Sequence, residues 1–334
     1  MQLKFARESR TNLYRCLGIL FLISVVGLIA CSITVTPKTE SQPLRILYEP
    51  WPGFLPLIIA QEKGFFAQQQ IKVAPILTKD VGANLAEFVA NKYDGVTLAL
   101  GSALTNTAVN PDIRIILTTD VSAGADAIIA QPQIKTVADL KNKLIGVRLG
   151  GFGELFVNKM LEMNNMSLED TTKTNVIAKQ TISLLQSGKV QAGHTWEPHV
   201  TQARQAGLKV LFTSKQTPGL IPDVIVFHNS VLQQRPNEVR AFVKAWFQAV
   251  DYWQNNPKEG NLLIAKFLNI KPETISLDGV KLLNLRDNQK AFTLGDNTES
   301  LYYTTKLYLS FFKQNGTLNH STDLEQLLDS SFLQ

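Results

Sequence analysis

Residues 44–66 read LRILYEPWPGFLPLIIAQEKGFF, and this stretch sets the architecture of the chain. Residues 44–48 have the character of a short strand, and the loop EPWPGF follows them. Residues 55–63 then show helical apolar spacing that ends at Gly64, a residue type that commonly stops a helix. A strand that leads through a short loop into a helix is the repeating unit of an α/β protein.

The alternation of short strands with helices continues to about residue 228, and the chain then becomes mainly helical. Further strands are predicted at residues 71–77, 95–100, 113–119, 144–149, 210–212 and 223–228, with another ending near Thr195. Further helices are predicted near residues 84–90, after Ser102, from Gly153, over 181–187, up to Ala206 and over 237–255. This alternation predicts an α/β fold of parallel sheets with helices on both faces.

The predicted helix over residues 237–255 carries an apolar stripe at helical spacing. Trp246 and Trp253 belong to this stripe. Both are therefore expected in the core of the protein rather than in contact with a ligand.

The length and composition indicate a folded chain of about two domains. The 334 residues exceed one ordinary hydrophobic core, and 45% of them are hydrophobic against 18% charged. Residues 1–30 hold four basic side chains and one acidic side chain, so their removal lowers the formal charge from +5 to about +2. The basic balance is therefore no indication of nucleic-acid binding.

The N-terminus has the pattern of a targeting segment. Its first 15 residues are basic, and residues 17–30, LGILFLISVVGLIA, form an apolar run. The run is shorter than the roughly 20 residues that span a bilayer and is typical of a signal peptide. It ends in Leu28-Ile29-Ala30-Cys31, which resembles the lipobox of bacterial lipoproteins, a class in which the peptide is cut before the cysteine and the cysteine is acylated.

Lipidation at Cys31 would hold the protein at a membrane surface without a spanning helix. The alternatives are an uncleaved signal anchor or a chance cysteine. We therefore assign residues 1–30 to a lipoprotein signal peptide, and the polar residues 31–43 to a flexible tether. The only other cysteine, Cys16, lies in the segment predicted to be removed, so no disulfide is expected in the mature domain.

Loops that follow the strands are the candidate ligand contacts, because ligands of open α/β sheets bind beyond the carboxyl ends of the strands. In the first loop, Trp51 offers a flat apolar face and one N–H donor, Gly53 allows close backbone approach, and Phe54 begins the helix. Contact of Trp51 with a ligand is favoured over a purely structural aromatic. Ser102 is predicted to cap a helix. Two alternatives stay open: the capping role alone, or capping with the hydroxyl also pointing into the cleft.

The loop Gly150-Gly151-Phe152-Gly153 stands directly before a predicted helix. Its N–H groups and the positive end of the helix dipole suit an anionic or carbonyl-bearing ligand group. The glycines do not have the spacing of a nucleotide-binding loop.

Trp196 and Glu197 follow another strand. Trp196 could stack on a ligand and Glu197 could accept a hydrogen bond from it. The alternative for Glu197 is to complement the dipole of the following helix.

The sequence favours binding over catalysis. None of the four histidines, which are His194, His199, His228 and His320, stands in a recognised metal-binding spacing, and no serine occupies GxSxG. We predict no catalytic residue, no metal and no cofactor.

Several short segments in a fixed order carry a family resemblance. They are residues 49–54, 62–66, 119–126 and 140–147, then Gly150 and Gly151, then residues 187–192 and 196–198. In this order and spacing, across residues 44–334, they resemble the nitrate/sulfonate/taurine class of substrate-binding proteins of ABC importers, which is related to thiamine-precursor-binding proteins. Two positions depart from the class: Gln191, usually acidic, and Arg148, which tends to be a carboxylate.

The resemblance implies a type II periplasmic-binding-protein fold, with two α/β lobes, two crossings between them and a ligand cleft. Lobe one would comprise residues 44–122 plus 227–334, and lobe two residues 123–226. Asp120, Ser122 and Asp126 would lie at one crossing and Asp223 at the other. Asp120, Ser122 and Asp223 are candidates for ligand contact, although locking the hinge strands is the favoured role of Asp126 and Asp223.

The implied function is capture of a small organic solute, whether sulfonate, nitrogenous or pyrimidine-like, outside the cytoplasm. Its partners would be an ABC permease and its ATPase, with the protein acting as a lipid-anchored monomer. The alternatives are a lipoprotein that senses a ligand for a receptor, or a thiamine-precursor biosynthetic enzyme. The cysteine-rich iron motif of such enzymes is absent from residues 44–334.

Overall fold

A computed structural model describes residues 42–78 and 81–334, with side chains described except for those of residues 81–84. Residues Pro43–Gln334 form one compact unit. The predicted signal peptide, Cys31 and all but the last two residues of the predicted tether lie outside the described residues. Within the described residues, no helix is both long and apolar enough to cross a membrane.

The first sheet has six strands and defines lobe one. In chain order they are β1 (Leu44–Tyr48), β2 (Val73–Leu77), β3 (Gly95–Ala99), β4 (Ile113–Ser122), β10 (Pro222–His228) and β11 (Val280–Leu282). Their spatial order is β11-β4-β10-β3-β1-β2. β1 pairs in parallel with β2 and β3, whereas β10 runs antiparallel to β3 and β4.

The second sheet has five strands and defines lobe two. They are β5 (Asp126–Ala130), β6 (Leu144–Val147), β7 (Thr172–Asn175), β8 (Ala192–Trp196) and β9 (Lys209–Thr213), in the spatial order β7-β6-β8-β5-β9. β6 pairs in parallel with β7 and β8, and β5 runs antiparallel to β8 and β9.

The sheets are mixed rather than parallel as predicted, mainly because of the strands that follow the two crossings; the edge strand β11 also runs antiparallel to β4. β5 and β10 each enter a sheet directly from the other lobe, at the edge where the other strands end, and so each runs against its neighbours. The second crossing precedes Pro222, because the whole of β10 pairs within the first sheet. The predicted boundary at residue 226 is therefore corrected: residues 222–226 belong to lobe one.

Helices cover both sheets. Those between the strands are α1 (Pro56–Glu62), α2 (Phe65–Gln68), α3 (Val81–Val89) and α4 (Leu100–Asn106), followed in lobe two by α5 (Phe152–Met163), α6 (Thr181–Gln186) and α7 (His199–Gln205). The C-terminal part adds α8 (Asn229–Gln234), α9 (Pro236–Asn255), α10 (Pro257–Leu268), α11 (Leu285–Ala291), α12 (Leu301–Gln314) and α13 (Leu324–Leu327). Gly64 has φ +70°, the left-handed conformation that ends a helix without a steric penalty from Cβ.

Each lobe has its own core. The largest apolar cluster packs β1, β3, β4 and β10 against α1 and α9, and two smaller clusters cover the two faces of the second sheet. Trp246 and Trp253 of α9 are fully buried, which confirms their predicted place in the core. This packing fixes the strand ends, and thus the loops that face the other lobe.

Candidate functional site

A cleft with a cavity volume of about 520 Å³ lies where the carboxyl ends of the two sheets face each other. Both lobes line it with aromatic side chains: Trp51 and Phe54 from lobe one, and Phe152 and Trp196 from lobe two. The volume falls within the range of small-molecule sites, which is about 300–1,000 Å³.

Most of the predicted site residues lie along this cleft. The lining includes Trp51, Phe54, Ser102, Gly150, Gly151, Phe152, Gly153, Trp196 and Asp223. It does not include Gly53, Asp120, Ser122 and Glu197. The structure gives each of these four a different position.

Asp120 lies behind the first loop, and Gly53 lets the loop pass close to it. The Trp51 indole N–H donates to Asp120 Oδ1 at 3.1 Å, and Thr119 Oγ1 donates to Asp120 Oδ2 at 2.8 Å. A Cβ at Gly53 would overlap the Asp120 carboxylate. Gly53 is therefore required because the loop backbone passes directly over Asp120, and Asp120 orients Trp51.

Asp120 and Asp223 form a pair of carboxyl groups inside the first sheet. They stand opposite each other on the antiparallel strands β4 and β10, close enough for each to shift the pKa of the other. Burial raises the pKa of Asp120 to about 6, and burial together with the charge of Asp120 raises the pKa of Asp223 well above its usual range. Because two buried carboxylates in contact repel each other, the pair holds a proton between them.

Asp126 and His194 form a second buried pair on the wall of lobe two. His194 Nε2 lies 2.9 Å from Asp126 Oδ1, and both residues line the cleft. The edges of Phe152 and Phe156 pack against the imidazole ring, and Trp196 lies beside it at 5.8 Å between ring centroids. These contacts fix the orientation of the His194 ring.

Ser122 locks the first crossing. Its hydroxyl accepts a hydrogen bond from the Asp126 backbone N–H and lies 2.8 Å from Ser214 Oγ, which in turn accepts from the Gly124 N–H. Ser214 directly follows β9, so this network joins the outgoing and returning segments of the chain. Ser122 is thus a hinge residue in the structure and not part of the cleft wall.

The glycine loop before α5 is shaped by close contacts. Gly150 has φ +70°, and its N–H donates to the Glu154 carboxylate at 2.8 Å. A Cβ at Gly153 would overlap His194. The protein's own carboxylate therefore occupies one of the loop N–H groups that the sequence assigned to an anionic ligand.

Glu197 takes its alternative role at the start of a helix, whereas Ser102 does not cap one. The Glu197 carboxylate accepts hydrogen bonds from the N–H and hydroxyl of Thr201, and it lies 3.8 Å from Arg204. It thus caps the start of α7 outside the cleft. Ser102 lines the cleft from inside the first turn of α4, whose N-cap is Ala99, so the predicted capping role of Ser102 is wrong.

The two lobes approach each other closely at two points. A Cβ at Gly101, in α4, would lie 2.9 Å from the Phe152 Cβ of the other lobe, and one at Gly150 would lie 2.9 Å from Thr317 Oγ1. Real side-chain carbons do not come this close, so glycine at these positions lets the lobes meet.

Glu49 and His194 line the cleft but were not predicted as ligand contacts, and Arg148, which the sequence marked as a departure from the class, lines it too. Glu49 follows β1 immediately, which places it at the carboxyl end of a strand. His194 and Trp196 are two residues apart in β8 and so point to the same face, which is a signal available from the sequence. Across the described ranges, no three His, Cys, Asp or Glu side chains group closely enough to hold a metal ion.

The NMT1/THI5-like family profile matches residues 51–260. A Bacillus subtilis protein named for binding aliphatic sulfonates is 22% identical over 327 residues, which is 95% of this chain and 96% of that protein.

Solved structures share the fold. The ligand-binding component of an ABC-type import system from Staphylococcus aureus, solved with zinc bound, aligns with a TM-score of 0.69 at 12% identity, over 88% of this chain and 98% of the other. The desulfurization enzyme DSZB aligns with a TM-score of 0.65 at 15% identity, over 86% and 97%. The fold therefore serves both binding proteins and at least one enzyme.

Proposed function

The chain belongs to the NMT1/THI5-like family, and from this membership and the geometry of the cleft we propose that it is the solute-binding component of an ABC importer. The observation that carries the proposal is the cleft of about 520 Å³, to which lobe one contributes Trp51 and lobe two contributes Trp196. A small organic solute between the two indoles would contact both lobes at once. Its binding energy would then favour the closed arrangement, which is the form that a permease can distinguish from the open one.

The supporting features lie around the hinge and the walls. The Ser122–Ser214 contact ties the two crossing segments together, and Asp120 holds Trp51 in place. Rigid supports behind a mobile hinge reduce the ordering required when the ligand binds. The absence of a cysteine after Cys31 also fits a binding role, since it leaves no thiol nucleophile in the lobes.

We place the protein outside the cytoplasm, anchored to a bacterial membrane by lipid on Cys31 and acting as a monomer. The apolar run before Cys31 and the polar segment after it support this proposal. The permease and ATPase of the importer would be its macromolecular partners.

A thermal-shift screen tests the binding function. The panel would hold sulfonates, nitrate, pyrimidines, amino acids and polyamines, and a bound solute raises the melting temperature by mass action. Each hit would then be followed by small-angle scattering, in which the radius of gyration should fall as the lobes close. A tight ligand that leaves the scattering curve unchanged would contradict a mobile two-lobe cleft.

An enzyme on this fold is the second candidate, because the buried Asp126–His194 pair lines the cleft and could accept a proton from a substrate. Mass spectrometry of the solute after prolonged incubation separates the two functions. A binding protein returns every solute of the panel unchanged, whereas an enzyme yields a product. A protein that senses its ligand for a receptor would also return it unchanged, and would lack a permease and ATPase encoded beside it.

A further inference from the structure

The interior of the cleft is acidic. Glu49, Asp126 and Asp223 line it, and Asp120 lies directly behind Asp223. The basic side chains on the lining are Arg148, which is exposed, and His194, which is already bonded to Asp126. The buried part of the wall therefore presents carboxyl groups without a matching basic side chain.

Two of these carboxyl groups have no basic partner to compensate them. Asp223 is only 6% exposed, and the side chain that it faces across the strand pair is the Asp120 carboxyl rather than a base. Glu49 receives no hydrogen bond from residues 42–78 and 81–334. Both side chains border the empty space of the cleft. A buried carboxylate is costly without a compensating charge or hydrogen-bond donor. We therefore expect a ligand to supply such a group to this wall.

On the opposite wall, one N–H group of the glycine loop is already occupied. The N–H of Gly150 is taken by Glu154, and that carboxylate also complements the dipole of α5. A sulfonate or nitrate in the cleft would lie near Glu49 and Asp223 with only the exposed Arg148 to balance them. Neither anion carries an N–H group to donate to these carboxyl groups, so neither would compensate them.

Aromatic side chains from both lobes also line the cleft. Trp51, Trp196, Phe54 and Phe152 surround the same space. Indole and phenyl faces attract cations and also cover flat apolar groups. A ligand with a positively charged nitrogen and a flat or apolar body would satisfy both the carboxyl wall and the aromatic walls.

We propose that this cleft takes an organic cation, a protonated amine or amidine on a flat or apolar body, whose N–H groups donate to Glu49 and Asp223. This assignment rests on the proposed solute-binding function and narrows its substrate class. It would set this chain apart from the relative named for sulfonates, because Glu49 and Asp223 call for a hydrogen-bond donor, whereas a sulfonate group only accepts hydrogen bonds.

Calorimetric titration with probes of matched shape tests the assignment. Benzamidine and benzylamine are the cations, benzamide is the neutral probe, and benzoate and benzenesulfonate are the anions, all used at millimolar concentration with the full-length protein. The cations should bind at least about tenfold more tightly than the anions, which corresponds to about 1.4 kcal/mol. Asp223→Asn should remove most of this preference, whereas the exposed Asp296→Asn should leave it unchanged.

The outcomes separate the two proposals. If an anion binds as tightly as the cations, or if the preference survives Asp223→Asn in the folded variant, the cation assignment is wrong while solute binding stands. If the sulfonates or nitrate of the thermal-shift panel bind and no cation of either panel does, the assignment is equally wrong. If no member of either panel binds, the solute-binding function itself is contradicted, and the assignment with it.

Discussion

The indole N–H of Trp51 donates to Asp120 at 3.1 Å, so a side chain on the wall of the cleft is held by a carboxyl group buried in the sheet behind it. Trp196, on the other lobe, is held differently, by ring contacts with Phe152 and His194 at 6.0 and 5.8 Å between centroids. Each tryptophan is thus fixed before a ligand arrives. A pre-ordered aromatic pair loses little conformational entropy on binding.

Truncation of either tryptophan should therefore weaken binding. For Trp51→Ala and Trp196→Ala we expect a loss on the order of 2 kcal/mol, or roughly thirtyfold in affinity, as for other desolvated aromatic contacts. Calorimetric titration of the folded variants with the ligand from the screen measures the loss. Trp246→Phe, in the core of α9, is the control and should change stability without changing affinity. Binding of both alanine variants within a factor of two of wild type would show that the tryptophans are scaffold.

Much of the fold could be predicted because its signals are local. The first strand was predicted at residues 44–48 and is Leu44–Tyr48, and the long helix predicted at 237–255 is Pro236–Asn255. The antiparallel direction of β5 and β10 could not be predicted, because residue periodicity marks a strand but does not give its direction. The lobe boundary at residue 226 failed because periodicity also does not show which sheet a strand joins.

In the candidate site, too, local features could be predicted and long-range ones could not. Trp51, Trp196 and the glycine loop were predicted to lie near the cleft because they follow strands, and the ends of strands can be predicted from one sequence. The Asp120–Asp223 pair depends on the register of strands about 100 residues apart, which no local pattern encodes. Likewise, nothing in the spacing of Glu154 tells that its carboxylate, rather than a ligand, binds the Gly150 N–H.

Closure of the lobes can be tested with two glycines of matched backbone conformation. Gly150 has φ +70° and Gly207 has φ +77°, so alanine should strain both by about 1–2 kcal/mol. A Cβ at Gly207 meets nothing within 4 Å, whereas one at Gly150 meets Thr317 Oγ1 of the other lobe. We expect similar losses of melting temperature in Gly150→Ala and Gly207→Ala, but weaker ligand binding only in Gly150→Ala. Equal affinities in the two variants would mean that the Gly150–Thr317 approach is not needed for the bound state.

Membrane attachment should depend on Cys31, because it directly follows the apolar run of residues 17–30. Cys31→Ser should block incorporation of labelled fatty acid and leave the precursor uncleaved by the lipoprotein signal peptidase. Gel mobility and metabolic labelling of cells that express each form measure both effects, and Cys16→Ser is the matched control. Acylation of the Cys31→Ser protein would place the lipid elsewhere.

The buried Asp120–Asp223 pair should make the ligand-free protein less stable as pH rises. Burial raises the pKa of Asp120 from 3.8 to about 6 and that of Asp223 well above its usual range, so the folded protein keeps a proton that the unfolded chain releases. Stability therefore falls with increasing pH from about pH 4 through about pH 6, and the shift of Asp120 alone corresponds to a loss on the order of 3 kcal/mol. The groups around the pair are Glu49, Asp126 and Tyr308.

Asp223→Asn isolates this effect, since it removes one of the two opposed charges while keeping the shape of the side chain. We expect the variant to lose less stability than wild type between about pH 4 and about pH 7, because Asp120 then titrates beside a neutral amide that can donate to it. Chemical unfolding of both proteins across this range measures the difference in their free energies of unfolding. Groups that titrate equally in both proteins cancel from this difference. Asp296→Asn, at an exposed position, should follow the wild-type profile. Parallel profiles for wild type and Asp223→Asn would mean that the two carboxyl groups are not coupled through a shared proton.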